Sequence, residues 1–291
     1  MLVDVDLSTQ PEAHLMERLE SGDIVCFSSC PFSLPTTQQR EFLYRQQLHP
    51  FHKNITLNPM TGKVTGSCRQ SPADSEMLKQ LLTDFGNVSL DWLARLLPQY
   101  AQCWKRDRVS FRPEEEATRS LRPHARNDLL HIDSFPTRPT HGDRLLRIFV
   151  NIHQTDPRVW VTSDTFDVLL ERFGQQVNGR IGTCWHEILG RSLSSMLGQP
   201  CDSEYDRFML RFHHFLKSNE QYQERCRKRF WHFAPFSVWV SFTDALSHAV
   251  LRGRYALEQS VFVPVSAMKH PEHAPISLLK SNNSIVLHKA A

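Results

Sequence analysis

Hydrophobic and polar residues follow a helical spacing in the first third of the chain and a mainly strand-like spacing afterwards. Residues 74–85 repeat apolar side chains at the i, i+4 spacing of an amphipathic helix, which Gly86 is predicted to end. Residues 88–97 predict a second helix. Elsewhere in this part of the chain, the pattern predicts a short strand over 23–27 and a helix over 36–48.

Strand patterns dominate the rest of the chain and surround a second helical region. The predicted strands are short apolar or alternating runs, several of them rich in β-branched residues. They cover residues 108–112, 129–135, 145–153, 158–161, 236–242, 248–251 and 254–264, whereas helical patterns cover 164–173, 203–217 and 219–229. Strands around a helical insertion are typical of a double-stranded β-helix. The predicted fold class is therefore α+β, with a jelly-roll, cupin-like core braced by N-terminal helices and a helical insertion.

The predicted organisation is a single domain over residues 1–291. Within it, residues 1–105 form a mixed helical support, 106–265 form the jelly-roll core and 266–291 form a C-terminal tail. The helical insertion interrupts the core at about 164–230. A closed sheet would supply a dry interior, and its mouth is a suitable place for a metal.

Charge and cysteine content exclude several classes of protein. A net charge of +3 over 291 residues is too small to argue for nucleic acid binding. Seven cysteines are scattered singly, which argues against a disulfide framework and for a reducing compartment. The acidic N-terminus lacks the basic region of a signal peptide, and no apolar stretch of about 18 residues is present. The expected location is therefore the cytoplasm.

The most informative chemistry lies in His131, Asp133 and His248. In a strand, residues i and i+2 point to the same side, so His131 and Asp133 can reach one metal. Two imidazoles and one carboxylate can hold one face of an Fe(II) ion and leave positions open for a cosubstrate and dioxygen. The alternative interpretation is an ordinary polar pair beside a core strand.

Two other segments carry a histidine two residues before a carboxylate. His141-Gly-Asp143 lies among turn-forming residues. His270-Pro-Glu272 lies near the C-terminus and has no strand-borne histidine after it. Both are therefore weaker candidates for a metal site than the pair at His131.

Iron oxygenases with such a triad commonly use 2-oxoglutarate, whose distal carboxylate is usually neutralised by a guanidinium. Arg254 opens an apolar strand and is the first candidate for this role. Arg147 is the second, because a charge inside an apolar strand needs a partner. The alternative for Arg147 is a structural ion pair with Asp143 or Asp133. The predicted cosubstrate-binding residues are Arg254, Arg147, Arg252 and Asn151.

The chain resembles the Kdo hydroxylases of Gram-negative bacteria. The resemblance is carried by LHIDSFPTRPTHGDRLLRIFVNI at residues 130–152, TDALSHAVLRGR at 243–254 and ALEQS at 256–260, and it extends over most of the chain. It implies a dioxygenase that depends on Fe(II), 2-oxoglutarate and O2, with ascorbate as reductant. The implied reaction hydroxylates carbon 3 of 3-deoxy-D-manno-oct-2-ulosonic acid (Kdo) in Kdo-lipid A, giving D-glycero-D-talo-oct-2-ulosonic acid (Ko), succinate and CO2. The implied iron ligands and catalytic residues are His131, Asp133 and His248.

The resemblance also implies that Arg112, Arg147 and Trp160 lie in functional segments. An acidic sugar on a phosphorylated lipid needs guanidiniums for its anionic groups and a flat apolar wall for the sugar face. The predicted substrate-binding residues are Arg112, Trp160, Arg138 and Arg144.

The expected partner is Kdo-lipid A, with no nucleic acid, and a homo-oligomer is left open. The basic residues 225–229 and the aromatic residues 230–233 could meet anionic headgroups at the inner face of the inner membrane. The alternative for this stretch is a solvated helix end that leads into a core strand. Two other functions compete: a 2-oxoglutarate-dependent hydroxylase with a different small-molecule or protein substrate, and a non-enzymatic cupin-like binding domain.

Overall fold

The computed structural model describes residues 2–4, 12–116, 119, 121–178 and 203–282, which form both strands and helices. The strands are β1 Leu2–Asp4, β2 Ile24–Phe27, β3 Ile55–Asn58, β4 Lys63–Thr65, β5 Lys105–Arg112, β6 Arg144–Asn151, β7 Arg158–Thr165, β8 Arg229–Phe233, β9 Val238–Phe242, β10 Leu246–Arg252 and β11 Ala256–Val263. The helices are α1 Glu12–Glu20, α2 Thr37–Tyr44, α3 Pro72–Leu96, α4 Pro98–Ala101, α5 Phe166–Asn178, α6 Glu204–Ser218, α7 Glu220–Arg225 and α8 Pro275–Ser281.

The described strands form two sheets that face each other. The major sheet has the strand order β1-β2-β9-β6-β11-β5-β3-β4, and the minor sheet has the order β10-β7-β8. In the major sheet, β11 pairs antiparallel with both β5 and β6, so Glu258 stands opposite Ser110 on one side and Phe149 on the other. In the minor sheet, His248 on β10 stands opposite Thr162 on β7. Two facing, mainly antiparallel sheets are the predicted jelly-roll arrangement.

The outer face of the major sheet is apolar, and helices cover it. Side chains alternate along a strand, so one face of β6 carries Leu146, Ile148 and Val150. These residues form one buried cluster with side chains from the N-terminal helices, among them Leu43 of α2 and Leu82 of α3. Burial of each such side chain contributes about 1.5–3 kcal/mol. This cluster is a principal hydrophobic core of the protein.

The outer face of the minor sheet belongs to a second core. Val161 of β7 and Ala249 of β10 are buried there against Phe166 and Leu169 of α5 and Phe212 of α6. The helical region between β7 and β8 thus covers the minor sheet. The predicted insertion at 164–230 includes these helices, although its residues 179–202 lie outside the described part of the chain. The predicted limits of the domain and its parts stay predictions.

The space between the two sheets holds charged and aromatic side chains. Arg147 and Phe149 of β6 lie on the face opposite to the outer core. The guanidinium carbon of Arg147 lies 4.9 Å from the centre of the Phe149 ring, which in turn meets Trp160 of the minor sheet edge-on at 4.8 Å. Buried charges are costly unless they are paired. The inter-sheet space therefore contains the polar and charged side chains that a functional site needs.

One sequence prediction fails at Gly86, which does not end a helix. Residues 72–96 form the single helix α3, and Gly86 lies in its middle. A Cβ atom at this position would lie only 2.8 Å from Cγ2 of Val109 and 2.9 Å from Oε1 of Gln259. The glycine therefore allows the helix to approach the major sheet closely, a role that local sequence patterns do not reveal.

The predicted strand over 129–135 is also wrong. Within this segment, His131 alone forms a β-bridge, which pairs it with His248. The next inward-pointing residue, Asp133, instead donates its backbone N–H to the carbonyl oxygen of Thr243 at 2.8 Å. Because the segment changes partners within two residues, it is extended without being a regular strand.

Candidate metal centre

His131, Asp133 and His248 meet at one buried point between the sheets. One ligand atom from each residue lies within 4.8 Å of the others. Nε2 of His131 is 3.5 Å from Oδ1 of Asp133, and Nε2 of His248 is 3.8 Å from Oδ2 of the same carboxylate. Within the described ranges, no other group of histidine, cysteine or acidic residues comes together in this way. The structure thus brings together all three predicted ligands.

Backbone hydrogen bonds hold the two histidines in register. The N–H of His131 donates to the carbonyl oxygen of His248 at 3.1 Å, and the N–H of His248 donates to that of His131 at 2.8 Å. This reciprocal pair places the two imidazoles side by side, with ring centres 4.8 Å apart. The bond from Asp133 to Thr243 holds the third ligand in the same way.

The hydrogen bonds of the imidazoles fix which nitrogen is free. Nδ1 of His131 lies 2.7 Å from the carbonyl oxygen of Leu129, and Nδ1 of His248 lies 2.9 Å from that of Leu246. A carbonyl oxygen can only accept, so each Nδ1 carries the proton. Both Nε2 atoms therefore keep their lone pairs and point towards Asp133, as metal-binding histidines require.

The electrostatics of the cluster also suit a cation. Burial, followed by the nearby ammonium of Lys217, lowers the pKa of His131 to about 3. Burial likewise lowers the pKa of His248, so both imidazoles are neutral. Burial opposes ionisation of Asp133, but the Arg147 guanidinium outweighs it and holds the pKa of that carboxyl well below its usual range. Two neutral imidazoles and one carboxylate are the donor set that a non-heme Fe(II) centre uses.

A chain of buried ion pairs leads away from Asp133. Arg147 donates to Asp133 and also to Glu258, and its Nε lies 3.0 Å from Oε1 of Glu258. Arg112 then contacts the other oxygen of Glu258 at 2.7 Å and reaches Glu116 at 2.9 Å. Arg147, Glu258 and Arg112 each have two partners of opposite charge, and this compensates for the loss of water around them.

The chain of ion pairs ends at Arg158. Its Nη2 lies 3.4 Å from Oε1 of Glu116, and its Nη1 donates to the backbone carbonyl of Gly253. Gly253 has a φ of 105°, and a Cβ atom there would lie 2.6 Å from the Cα of Arg158. Only glycine fits this close approach without strain. The chain of ion pairs therefore joins Asp133 to the loop between β10 and β11.

Sequence reasoning missed Glu258 and Glu116, although Glu258 holds two of the predicted arginines. Burial opposes ionisation of Glu258, but Arg147 and Arg112 outweigh it and lower its pKa to about 2. Its sequence signal was a carboxylate inside an apolar strand, two residues before Ser260, whose hydroxyl also contacts it at 3.2 Å. Glu116 lies outside any strand and offered no comparable signal.

Aromatic rings border the other side of the histidines. Trp160 stacks on the imidazole of His248 with ring centres 5.2 Å apart, and it packs edge-on against Phe149 and Trp239. Trp160 is only 1% exposed. It therefore lines the inter-sheet space beside His248 and has almost no surface accessible from outside. Its binding of the sugar stays a prediction.

The four predicted cosubstrate-binding residues are not all at the centre. Arg147 is buried beside Asp133, so the structure realises the ion pair that the sequence left as an alternative. Arg252 and Arg254 are both exposed, and the guanidinium of Arg254 lies over the Tyr255 ring at 5.0 Å. Asn151 is buried, but its amide bonds the backbone carbonyls of Asp156 and Phe233. Their binding of the cosubstrate stays a prediction, and Arg147 is the one that touches the cluster.

The predicted substrate-binding residues separate into three groups. Arg112 and Trp160 are buried around the centre, as described above. Arg138 lies nearer the surface, where it pairs with Asp107 and its guanidinium carbon lies 3.9 Å from the centre of the Phe135 ring. Arg144 is not brought to the centre: it lies on the opposite face of β6 from Arg147, has no exposed surface and pairs with Asp244 at 2.9 Å.

The family of the chain follows from its sequence as a whole. The model of the 3-deoxy-D-manno-oct-2-ulosonic acid (Kdo) hydroxylase family matches residues 3–284. The chain belongs to the Kdo hydroxylase family. The predicted family and enzyme class, an Fe(II)- and 2-oxoglutarate-dependent Kdo hydroxylase, are therefore confirmed.

Solved structures of the Kdo hydroxylase KdoO, a non-heme Fe(II) alphaketoglutarate dependent dioxygenase, have the same fold. Its complex with alphaketoglutarate and Fe(III) is 30% identical to this Kdo hydroxylase family member, with a TM-score of 0.85 over 99% of this chain and 96% of that chain. Its cobalt(II) complex is 30% identical with a TM-score of 0.85, and its complex with succinate and Fe(III) is 30% identical with a TM-score of 0.84. Both matches cover 100% of this chain and 98% of that chain. No curated protein sequence matches the chain. The likeness confirms the predicted jelly-roll fold.

Proposed function

We propose that this protein hydroxylates carbon 3 of Kdo in Kdo-lipid A to give Ko. One oxygen atom of O2 would enter the new hydroxyl group, and the other would enter the succinate formed as 2-oxoglutarate loses CO2. The observation that carries the proposal is the buried His131–Asp133–His248 cluster in a member of the Kdo hydroxylase family. Similar structures of KdoO hold iron with alphaketoglutarate or succinate.

The residues present fit an iron ion in the cluster. His131 and His248 would each bind through Nε2, and Asp133 would bind through one carboxylate oxygen while Arg147 keeps a hydrogen bond to the carboxylate. When bound, iron with its cosubstrate would supply the activation of dioxygen. The protein would supply position: the reacting C–H bond must be held close while competing bonds are kept away.

The inter-sheet space offers hydrogen-bond donors for the cosubstrate. Buried polar atoms with no hydrogen-bond partner among the described residues include Oγ of Ser241, Nε1 of Trp239 and Nε1 of Trp160. Ser241 stands directly opposite Arg147 in the sheet. Unsatisfied buried donors are costly unless a ligand completes them. A carboxylate placed between them and Arg147 would satisfy them, so Arg147 is a better candidate than exposed Arg254 for the distal carboxylate of 2-oxoglutarate.

A surface contact with the membrane would bring the enzyme to its lipid. No helix in the described ranges has the length and hydropathy that a membrane crossing needs. Phe230 is 58% exposed beside the basic residues 227–229, and Phe51 is 92% exposed. An exposed aromatic ring next to cations is typical of a segment that meets anionic headgroups. These segments support peripheral contact with the inner face of the inner membrane.

The proposed reaction can be tested directly. Purified protein is incubated with Fe(II), 2-oxoglutarate, ascorbate, O2 and Kdo-lipid A, and the lipid is analysed by mass spectrometry. The expected result is a gain of one oxygen atom at Kdo, with succinate formed in equal amount, and no gain with the Asp133→Ala variant. A lipid that stays unchanged while another acceptor is hydroxylated would overturn the substrate assignment and favour a hydroxylase with a different substrate.

A further inference from the structure

Lys217 is a buried lysine on the helix that packs against the segment of His131. It lies in the last turn of α6 and is only 3% exposed. Its Nζ donates to the carbonyl oxygen of His124 at 3.2 Å, and it forms no ion pair with any carboxylate of the described residues. A buried charge without a counter-ion is costly and is retained only for a reason. The packing of α6 does not require it, because the helix is anchored by its aromatic residues.

The helix geometry directs Lys217 towards the cluster. Lys217 follows His213 by one helical turn, so both side chains lie on the same face of α6. His213 meets the ring of His131 edge-on, with centres 4.9 Å apart, and its Nδ1 lies 2.6 Å from the carbonyl oxygen of Ile132. Through this contact, the face that carries Lys217 rests on the segment that provides two of the metal ligands.

A second lysine faces the same place from another element. Lys53 lies in the loop before β3, where Arg119 fixes the loop by donating to the carbonyl oxygens of His52 at 2.7 Å and Lys53 at 3.3 Å. Burial, followed by Lys53, lowers the pKa of Lys217 to about 7, and Asp133 acts on both lysines in the opposite direction. The two lysines, which belong to separate elements, therefore lie within electrostatic reach of Asp133 and of each other.

Charge balance shows that the arginines cannot fill the role of these lysines. Arg147, Arg112 and Arg158 are matched in number by Asp133, Glu258 and Glu116. A divalent iron would in turn be matched by the two carboxylates of 2-oxoglutarate. A third carboxylate, brought by an acidic acceptor sugar, would find no unmatched cation among these groups. Lys217 and Lys53 provide that charge.

We infer that Lys217, assisted by Lys53, binds the carboxylate of the acceptor sugar and thereby selects acidic sugars for hydroxylation. The inference rests on the proposed function. In Kdo, the carboxylate is attached to carbon 2, the direct neighbour of the carbon that would be hydroxylated. A cation that holds this carboxylate must therefore lie near the iron ligands, and Lys217 is buried one helical turn from His213, which packs against His131. In this role Lys217 makes the protein prefer acidic over neutral sugars and positions the sugar. Iron and 2-oxoglutarate are expected to bind without it.

The test compares an acid with its neutral ester. Binding of the methyl glycoside of Kdo and of its methyl ester is measured by calorimetry on the protein loaded with Co(II) and 2-oxoglutarate, without O2. The wild type is expected to prefer the acid, and Lys217→Met is expected to reduce affinity for the acid at least tenfold while affinity for the ester is unchanged. Lys53→Met should have a smaller effect of the same kind, because water screens an exposed charge. The matched control is Lys63→Met, an exposed lysine on β4.

Several outcomes would overturn the inference. One is an unchanged preference for the acid in Lys217→Met; another is a loss of 2-oxoglutarate affinity in that variant, which would assign the lysine to the cosubstrate. A third is a loss of affinity for inorganic phosphate, and not for the Kdo acid, in the lysine variants. That result would assign the lysines to a lipid phosphate. Folding is checked by thermal melting, where removal of the buried ammonium should leave the melting temperature unchanged or raise it. Because binding is measured without turnover, failure to hydroxylate Kdo-lipid A would overturn only the proposed function.

Discussion

His131 and His248 donate to each other's backbone carbonyl oxygens, and each places Nδ1 against the carbonyl oxygen two residues before it. The same local geometry is therefore used twice, from segments more than a hundred residues apart in sequence. It sets both Nε2 atoms towards Asp133 before any metal binds. A site organised in this way loses little conformational entropy when it takes up an ion.

Removal of any one ligand should abolish metal binding. His131→Ala, Asp133→Ala and His248→Ala each leave two donors, which cannot hold Fe(II) facially. Calorimetric titration with Co(II) and assays of 2-oxoglutarate turnover are expected to show no binding and no activity. His141→Ala is the control, because this exposed histidine contacts Asp206 away from the cluster. Full activity of His131→Ala with Fe(II) supplied would contradict the assignment.

Arg147 and Arg254 should differ in their effect on the cosubstrate. A hydrogen bond to a charged group in a buried site contributes about 1.5–3 kcal/mol, which corresponds to roughly 10- to 150-fold in affinity. Arg147→Ala should therefore raise the 2-oxoglutarate concentration needed for half-maximal turnover by that factor. Arg254→Ala should leave it unchanged, because Arg254 is exposed. The reverse result would assign the distal carboxylate of 2-oxoglutarate to Arg254. As a control, Co(II) titration of both variants shows whether the metal site is intact.

Glu258 should stabilise the folded protein as well as position Arg147 and Arg112. Glu258→Gln would leave Arg147 and Arg112 buried with too few counter-charges. Breaking a buried ion pair in this way costs about 3–5 kcal/mol. Urea unfolding should show a loss of that size in the free energy of unfolding, whereas Glu224→Gln, at an exposed position on α7, should show almost none. A difference below about 1 kcal/mol would mean that the ion-pair chain contributes little.

Acid should weaken the folded protein through the same carboxyl group. The pKa of Glu258 is lowered from 4.5 to about 2, so as pH falls the unfolded chain takes up this proton before the folded chain does. The stabilisation by Glu258 is thus complete above pH 4.5 and is lost as pH falls towards about 2. Urea midpoints measured between about pH 5 and 3 should fall less steeply in Glu258→Gln than in the wild type. Equal slopes would show that Glu258 titrates normally in the folded state.

Local patterns were sufficient to predict the His131–Asp133–His248 cluster, since an extended segment places residues i and i+2 on one side whether or not it pairs as a strand. His131 and Asp133 therefore lie as predicted, although their segment forms only one bridge. The fold class was also accessible, because apolar alternation marked most of the strands. Arg254 was harder to place. The backbone turns at Gly253 and Tyr255, which have φ values of 105° and 68°, and this turn separates Arg254 from the face that carries His248.

The partners of the buried arginines could not be read from the sequence. Glu258 joins Arg147 and Arg112 because β11 lies between β6 and β5, and that strand order is a property of the complete sheet. Lys217 presents the same difficulty. Its importance depends on the docking of α6 against the segment of His131, which no periodicity within α6 indicates.

The helices of the insertion cover the apolar outer face of the strand that carries His248. Their removal would expose Val161 and Ala249 to water and leave three strands without a backing layer. Exposing a buried side chain such as that of Val161 costs about 1.5–3 kcal/mol. A minimal jelly roll obtained by trimming residues 166–225 should therefore be less stable at the strand that carries His248. The proposed iron site therefore depends on the packing of the α-helical region between β7 and β8, and efforts to shorten the enzyme should begin elsewhere.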